Sequence, residues 1–372
     1  MPTEKFVSSK SEARSAVVQL KDVRRVEWDE ATEAIERCYE LGWTDGLPVV
    51  PPTIERVQEF ITYVDRSPDE VLGRIDERRR EVSVAKAASN AVMAGCLPEY
   101  FPIVVAATEA MLDPTFNLIA PSSSQGGASL LVIVNGPVIG QLGINCKDNL
   151  FGPGNRANAT IGRATRLIMM NACASIPGLF DRSIMGDPSK YTFCIGENED
   201  ESPWEPLHVE RGFAREESTV TVFASWGPRQ LRAANEPKVV LDVVADVASS
   251  LGTSLATSDS VSDLTIGVRQ GQVVITFAGA GAFWNGWTKQ AVKEYLHPRI
   301  GRSVADLKKV KVMKGTILTG DEDRRVNFVP EPDDILVIFA GSPEASGYRS
   351  SVILSELPKV ASTAVTKAVR LP

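Results

Sequence analysis

The densest chemical signal in the chain is GINCKDNLFGPGNRANATIGRA, from Gly143 to Ala164. Gly143, Gly152, Gly154 and Pro153 set an irregular loop of the kind that lets backbone approach a ligand. Asn145, Asn149, Asn155 and Asn158 each carry an amide donor and acceptor. Arg156 falls just before an expected helix start, and Arg163 within its early turns. A helix N-terminus presents unpaired N–H groups and partial positive charge. A guanidinium beside it makes a receptor for carboxylate or phosphate. The competing reading is a loop whose asparagines cap turns and whose arginines pair with surface acids. The concentration of Asn, Gly and Arg favours the ligand site. The spacing matches neither a P-loop nor a dinucleotide-binding glycine fingerprint.

Four further positions carry reactive groups. Cys96 follows Gly95 at a break between two expected helices, where a thiol at a helix N-terminus can have a lowered pKa. Glu99, one turn on, opposes that lowering, and a buried structural thiol is the commoner fate of a cysteine. His208 stands among Trp204, Glu205, Glu210 and Arg211, a setting for a general acid or base or for an imidazole bonded to a carbonyl. Asp45 lies in a turn pinned by Pro48, Pro51 and Pro52; it reads as a rigid catalytic carboxylate or as an Asx-turn. The serines Ser122, Ser123 and Ser124 precede Gln125-Gly126-Gly127, and Ser123 could bond a substrate. No G-x-S-x-G elbow supports a serine hydrolase. The other histidine, His297, precedes Pro298 near a helix end, where a dipole contact explains it. Two histidines without metal-ligand spacing predict no zinc site.

The elements that must position these residues alternate between helix and strand. Residues 29–41 read as an amphipathic helix capped by Asp29 and stopped by Gly42. Thr53 caps a helix over 54–64, and Val84 to Ala94 form a small-faced helix ended by Gly95. Pro98 opens a helix toward Leu112, and another runs to about Cys173. Strands are expected at Leu130–Asn135, Thr219–Ala224, Leu264–Val268, Val273–Ala278 and Ile335–Ala340, with helices at Val239–Ser250 and Thr288–Tyr295. AGSPEASGY, 340–348, is a second small-residue loop at a strand end, where α/β proteins place ligands. This predicts an α/β fold with layered mixed sheets and flanking helices, as one large domain or two closely packed subdomains. Residues 1–25 read as a flexible tail, 26–196 as a first half carrying the Asn/Gly/Arg loop, and 197–372 as a second half. The acidic ENEDE stretch, 197–201, reads as the boundary or a solvated loop.

The chain of 372 residues has 40 basic and 47 acidic residues, a net charge of −7, which argues against a nucleic-acid binder. No apolar run is long enough for a membrane span, and the polar N-terminus lacks a secretory pattern. Five scattered cysteines read as reduced thiols of a cytoplasmic protein.

WTDGLPVVPPT (43–53), NAVMAGCLPEYFPIV (90–104), LGIN (142–145), FGPGNRANATIGRA (151–164), KYTFC (190–194) and SPWEPLHVERGF (202–213) resemble a largely uncharacterised bacterial family marked by its WTDGLP motif. The resemblance spans nearly the whole chain. Such proteins are often associated with small redox proteins carrying a UGSC or CGSC motif, so it implies a thiol- or selenol-linked partner. The family pattern falls on Asp45, Cys96, Glu99, Asn145, Asn155, Arg156, Asn158, Arg163, Trp204, Glu205 and His208, which raises Cys96 and His208. Related sequences tend to carry histidine where this chain reads SSSQGG (122–127) and near Gly227-Pro228, which implies a changed mechanism here. The resulting expectation is an enzyme acting on a small anionic molecule, with thiol-dependent redox chemistry and a UGSC-type partner. A redox-neutral lyase or hydrolase using Cys96 and His208 is the alternative, and a non-catalytic ligand-binding subunit of a larger complex a third. A homo-oligomer is expected; no metal is predicted and the cofactor is left open.

Overall fold

A computed structural model describes residues 31–255 and 270–372. The expected tail, the Asp29 cap and the Leu264–Val268 strand lie outside those residues. The first stretch runs α1 (Ala31–Glu40), α2 (Ile54–Val64), β1 (Val71–Ile75), β2 (Arg80–Ser83), α3 (Val84–Ala94), α4 (Phe101–Met111) and α5 (Ile119–Ser123). It continues with β3 (Ser129–Asn135), α6 (Val138–Leu142), α7 (Arg156–Asn171), β4 (Cys194–Gly196), α8 (Leu207–Glu210), β5 (Thr219–Ser225), β6 (Arg229–Arg232) and α9 (Pro237–Leu255). The second stretch gives β7 (Val273–Phe277), α10 (Lys289–Leu296), β8 (Gly301–Ser303), α11 (Val304–Lys309), β9 (Arg325–Asn327), β10 (Ile335–Phe339), β11 (Tyr348–Leu354) and β12 (Val365–Ala368).

Local chemistry accounts for the helices that matter most. The Thr53 and Ser83 hydroxyls accept the N–H groups of Arg56 and Lys86, as N-caps do. Gly95 ends α3 in the left-handed region at φ +89°, with its N–H turned back to Ala91 and Val92. The helix after the Asn/Gly loop begins one residue earlier than expected. Asn155 is its N-cap, accepting from the Asn158 N–H, so Arg156 is its first residue and does not precede it. The alanine faces of α3 and α7 let these two helices pack side by side.

Two four-stranded mixed sheets carry the core, in orders β12-β5-β3-β4 and β10-β7-β11-β6. In the first, β4 runs parallel to β3 and β5 antiparallel, with Leu130 opposite Ala224. In the second, β10 and β7 are parallel and β11 is antiparallel to β7. The central strands are apolar throughout because both of their faces are covered. Alternate residues part to opposite sides. Leu130, Val132 and Val134 pack under α3, α4 and α7; Val273, Ile275 and Phe277 pack under α9 and α10. The other faces, with Leu131, Ile133, Phe223, Val274, Ile338 and Ile353, meet each other in a third apolar cluster. The result is four layers: helices, sheet, sheet, helices.

The first sheet draws its strands from both sides of the expected division at residue 196. β5 and β12 come from beyond it yet belong to the first sheet. The ENEDE stretch is no solvated linker at its start. Glu197 and Asn198 are each only 1% exposed, because the Glu197 N–H continues from β4 onto the Val134 carbonyl. Among the described residues no helix is long and apolar enough to cross a membrane.

Candidate functional site

A cleft of about 440 Å³ opens where the seam between the two sheets reaches the carboxyl ends of β7 and β10. Carboxyl ends of parallel strands are where open α/β sheets hold ligands. The seam changes character as it approaches this opening. Val274 and Ile353 lie within it, and two residues along each strand stand Thr276 and Ser351. Their hydroxyls bond each other at 2.7 Å. The neighbouring Ser350 borders the cleft, but it stands opposite Phe277 and its hydroxyl turns to the helix-covered side of the sheet, sealed from the cleft. Gln230 lines the cleft from β6.

Both small-residue loops singled out from sequence close over this floor. Lys147, Asn149, Leu150, Phe151 and Gly152 come from the Asn/Gly loop; Gly341, Ser342, Ala345 and Ser346 come from the AGSPEASGY loop. They are joined where the Gly341 N–H donates to the Cys146 carbonyl at 2.9 Å. Asn149 adopts φ +55°, and its amide holds the Pro153 carbonyl, which fixes the turn at the mouth. Among the described residues lining the cleft Lys147 is the one that is charged, and it pairs with Glu201 at 2.7 Å.

The residues expected to receive an anion are brought together, but away from the cleft and already engaged. Arg163 forms a two-pronged pair with Asp45, Nε to Oδ2 at 2.8 Å and Nη2 to Oδ1 at 2.7 Å, and also donates to the Leu47 carbonyl. The Asp45 side chain is 4% exposed, so this carboxylate anchors the WTDGLP turn onto α7. Arg156 donates twice to the Gly95 carbonyl at the end of α3. Asn158 spends both ends of its amide on the Asn145 backbone and reaches the Cys194 carbonyl. Asn155 caps α7 and donates to the Gly143 carbonyl, while Asn145 folds onto its own loop through Lys147 N and the Asp148 carbonyl. This knot shapes the loop; the residues that line the cleft, Lys147 and Asn149 to Gly152, lie between Asn145 and Asn155.

The thiol reading moves as well. Cys96 is 7% exposed, and burial pushes its thiol up to about 12 despite the nearby Thr160 hydroxyl and Arg156 charge. The expected lowering fails because Cys96 packs inside the first core and not at a solvated helix end. Glu99 is exposed. Ser123 is exposed too and donates back to the Ile119 carbonyl, a local helical bond with no place in the cleft. Of the five unpaired cysteines, Cys146 alone is not fully buried. Burial raises its thiol too, with Lys147 pulling the other way.

His208 is 0% exposed and belongs to a buried polar cluster across the end of β10 from the cleft. Asn135, the last residue of β3, donates to Glu197 at 2.6 Å and to Glu199 at 2.9 Å. Glu197 also accepts the N–H of Leu207, and weakly that of Phe339. His208 Nδ1 stands 3.7 Å from Glu199, and Nε2 faces the Arg215 carbonyl at 3.4 Å. Burial pushes the Glu197 carboxyl up and the Lys289 ammonium down, each against the charge of the other. Glu197 and Glu199 escaped the sequence reading because the acidic run around them looks like solvated loop. Trp204 is a packing residue, its ring against Phe277, Trp284 and Phe339 and its Nε1 on the Trp287 carbonyl. Glu205 is exposed, and its carbonyl accepts from Lys289. Among the described residues no three His, Cys, Asp or Glu side chains are grouped to hold a metal ion. No protein-family model matches the chain, and no curated protein matches it.

Proposed function

We propose that this chain is an enzyme that takes a small polar organic molecule bearing one anionic group into the cleft between its sheets. The observation that carries this is the recess at the carboxyl ends of β7 and β10, floored by the Thr276–Ser351 hydroxyl pair and closed by two loops. Thr276, Ser351 and Gln230 stand in one row across the sheet and give the recess a neutral hydrogen-bonding floor. The anionic group faces Lys147. Exchanging Glu201 for a ligand carboxylate costs little, because an exposed ion pair is worth about 1 kcal/mol or less. The negative net charge of the chain supports a small-molecule ligand over nucleic acid. The five unpaired cysteines support a reducing, cytoplasmic setting.

Calorimetric screening of small hydroxy- and keto-carboxylates tests this. A binder should lose about tenfold in affinity in Ser351→Ala and Lys147→Ala, and keep it in Arg156→Ala. Equal affinity in all three variants places the ligand elsewhere.

A thiol-dependent version, with a UGSC-type redox protein as partner, is favoured by Cys146, whose carbonyl is bonded to the cleft loop. In that version Cys146, not Cys96, meets the partner's thiol or selenol. Native protein should then show one thiol reacting with an aromatic disulfide reagent, and Cys146→Ser should abolish it. A reactive thiol that survives in Cys146→Ser overturns this version. A binder that cannot be turned over, with or without such a partner, leaves a ligand-binding subunit.

A further inference from the structure

The loop between α7 and β4 is built inside out. Asp181 is buried with Lys190 drawn in beside it, while its large apolar side chains face outward together with Arg182. Asp181 is 7% exposed, held by Arg166 at 3.0 Å and by Lys190 and Ser183. Around that core, Met185 is 92% exposed, Ile184 75% and Leu179 60%, with Ile176, Phe180 and Tyr191 each above 40%. These side chains are not outside for want of order. The N–H groups of Leu179, Phe180 and Asp181 all turn onto the Ile176 carbonyl, and the Ile184 N–H reaches the Gln125 carbonyl. Arg78 stacks over Phe180 at 4.9 Å. The loop therefore holds an apolar face in place, where a collapsed loop would have tucked it in.

We propose that this face, Ile176 to Tyr191, binds the same face of a second copy of the chain across a two-fold axis. Area is the first reason. A large side chain carries roughly 150–250 Å², so six of them this exposed present several hundred Å², close to the roughly 800 Å² each partner gives a standard interface. Monomers rarely leave an apolar patch of that size uncovered. Charge is the second. The chain carries −7 overall, which disfavours self-association in general, but residues 176–191 hold two acidic and two basic residues. Two copies can meet there without like-charge repulsion, and an isologous contact needs only the one patch.

Sedimentation or light scattering of the full chain tests this. Twice the chain mass of 40.3 kDa is expected at micromolar concentration. The double variant Ile184→Glu/Met185→Glu should weaken the dimer at least about 30-fold, since two buried anchors are lost. A second readout needs no variant: peroxide oxidation of Met185, followed by mass spectrometry, should be at least about tenfold slower in the dimer than in an unfolded peptide of the same sequence. A wild-type monomer overturns the proposal, as does a dimer in which Met185 oxidises at the peptide's rate. A monomer whose Met185 becomes protected only when another protein is added overturns it too, in favour of a different partner.

Discussion

Asp181 shows how far a side chain's behaviour depends on neighbours that its own segment does not announce. Burial alone would raise its carboxyl, but Ser183, Lys190 and Arg166 outweigh it and hold the group at about 2. An unfolded aspartate titrates near 3.9. The folded value is depressed, so the carboxylate contributes stability that is complete above roughly pH 4 and is lost as pH falls toward 2. The difference amounts to about 3 kcal/mol. Urea unfolding should show Asp181→Asn less stable than wild type by about that much at neutral pH, with the gap closing between pH 4 and 2. A gap that stays constant across that range would show that the carboxylate is not held by its charges. The same dependence on distant partners explains what was legible at this scale. Residue types singled out the Asn/Gly loop and the AGSPEASGY loop, and residues of both line the cleft. They could not show that Arg163 is occupied by Asp45, 118 positions away, or that Cys96 is sealed in the core. Nor could they show that Glu197 is buried against Phe339, 142 positions on.

Among the elements, α7 does most to set the site, since its N-terminus anchors the loop that roofs the cleft. It can do so only because Gly162 lets it lie against the lead-in to β4. A Cβ there would sit 2.4 Å from the Thr192 hydroxyl and 2.6 Å from the Phe193 N–H. The hydroxyl can rotate away; the backbone N–H cannot move without shifting β4. Gly162→Ala should therefore destabilise the chain by about 1–3 kcal/mol, despite alanine's better helix propensity, which alone would stabilise by up to about 1 kcal/mol. Chemical denaturation gives the sign, and a stabilised variant would mean that α7 stands off the strand. Elements with strong periodicity or caps were readable: α2, α3, β3, β5, β7, β10 and α10 fall where expected. β11, YRSSVIL, was not, because its polar half faces the cleft and breaks the apolar run. β6 and β12 are short and polar, and they are strands only through their pairing with β11 and β5.

For the molecule as a whole, the decisive feature is the seam between the sheets. The first sheet needs β12, from the last residues of the chain, beside β5. The second lies between them in sequence, and the seam side chains of each sheet pack against those of the other, with Leu150, Phe193 and Leu207 joining them. Neither half can complete its core alone, so the two should unfold together. Ile338 tests this, being fully buried in the seam on β10, in the second sheet. Ile338→Ala removes apolar volume at that contact and should cost about 2–5 kcal/mol. Far-UV circular dichroism reports helices of both halves. Tryptophan fluorescence is weighted to the second core through Trp204 and Trp284, with Trp43 against the first. If the halves are coupled, both signals shift to the same lower midpoint in the variant and remain superimposable. Separate transitions, with only the fluorescence moved, would mean two independent domains. The cleft would then lie on a movable boundary, and its floor of hydroxyls would be assembled only when the halves dock.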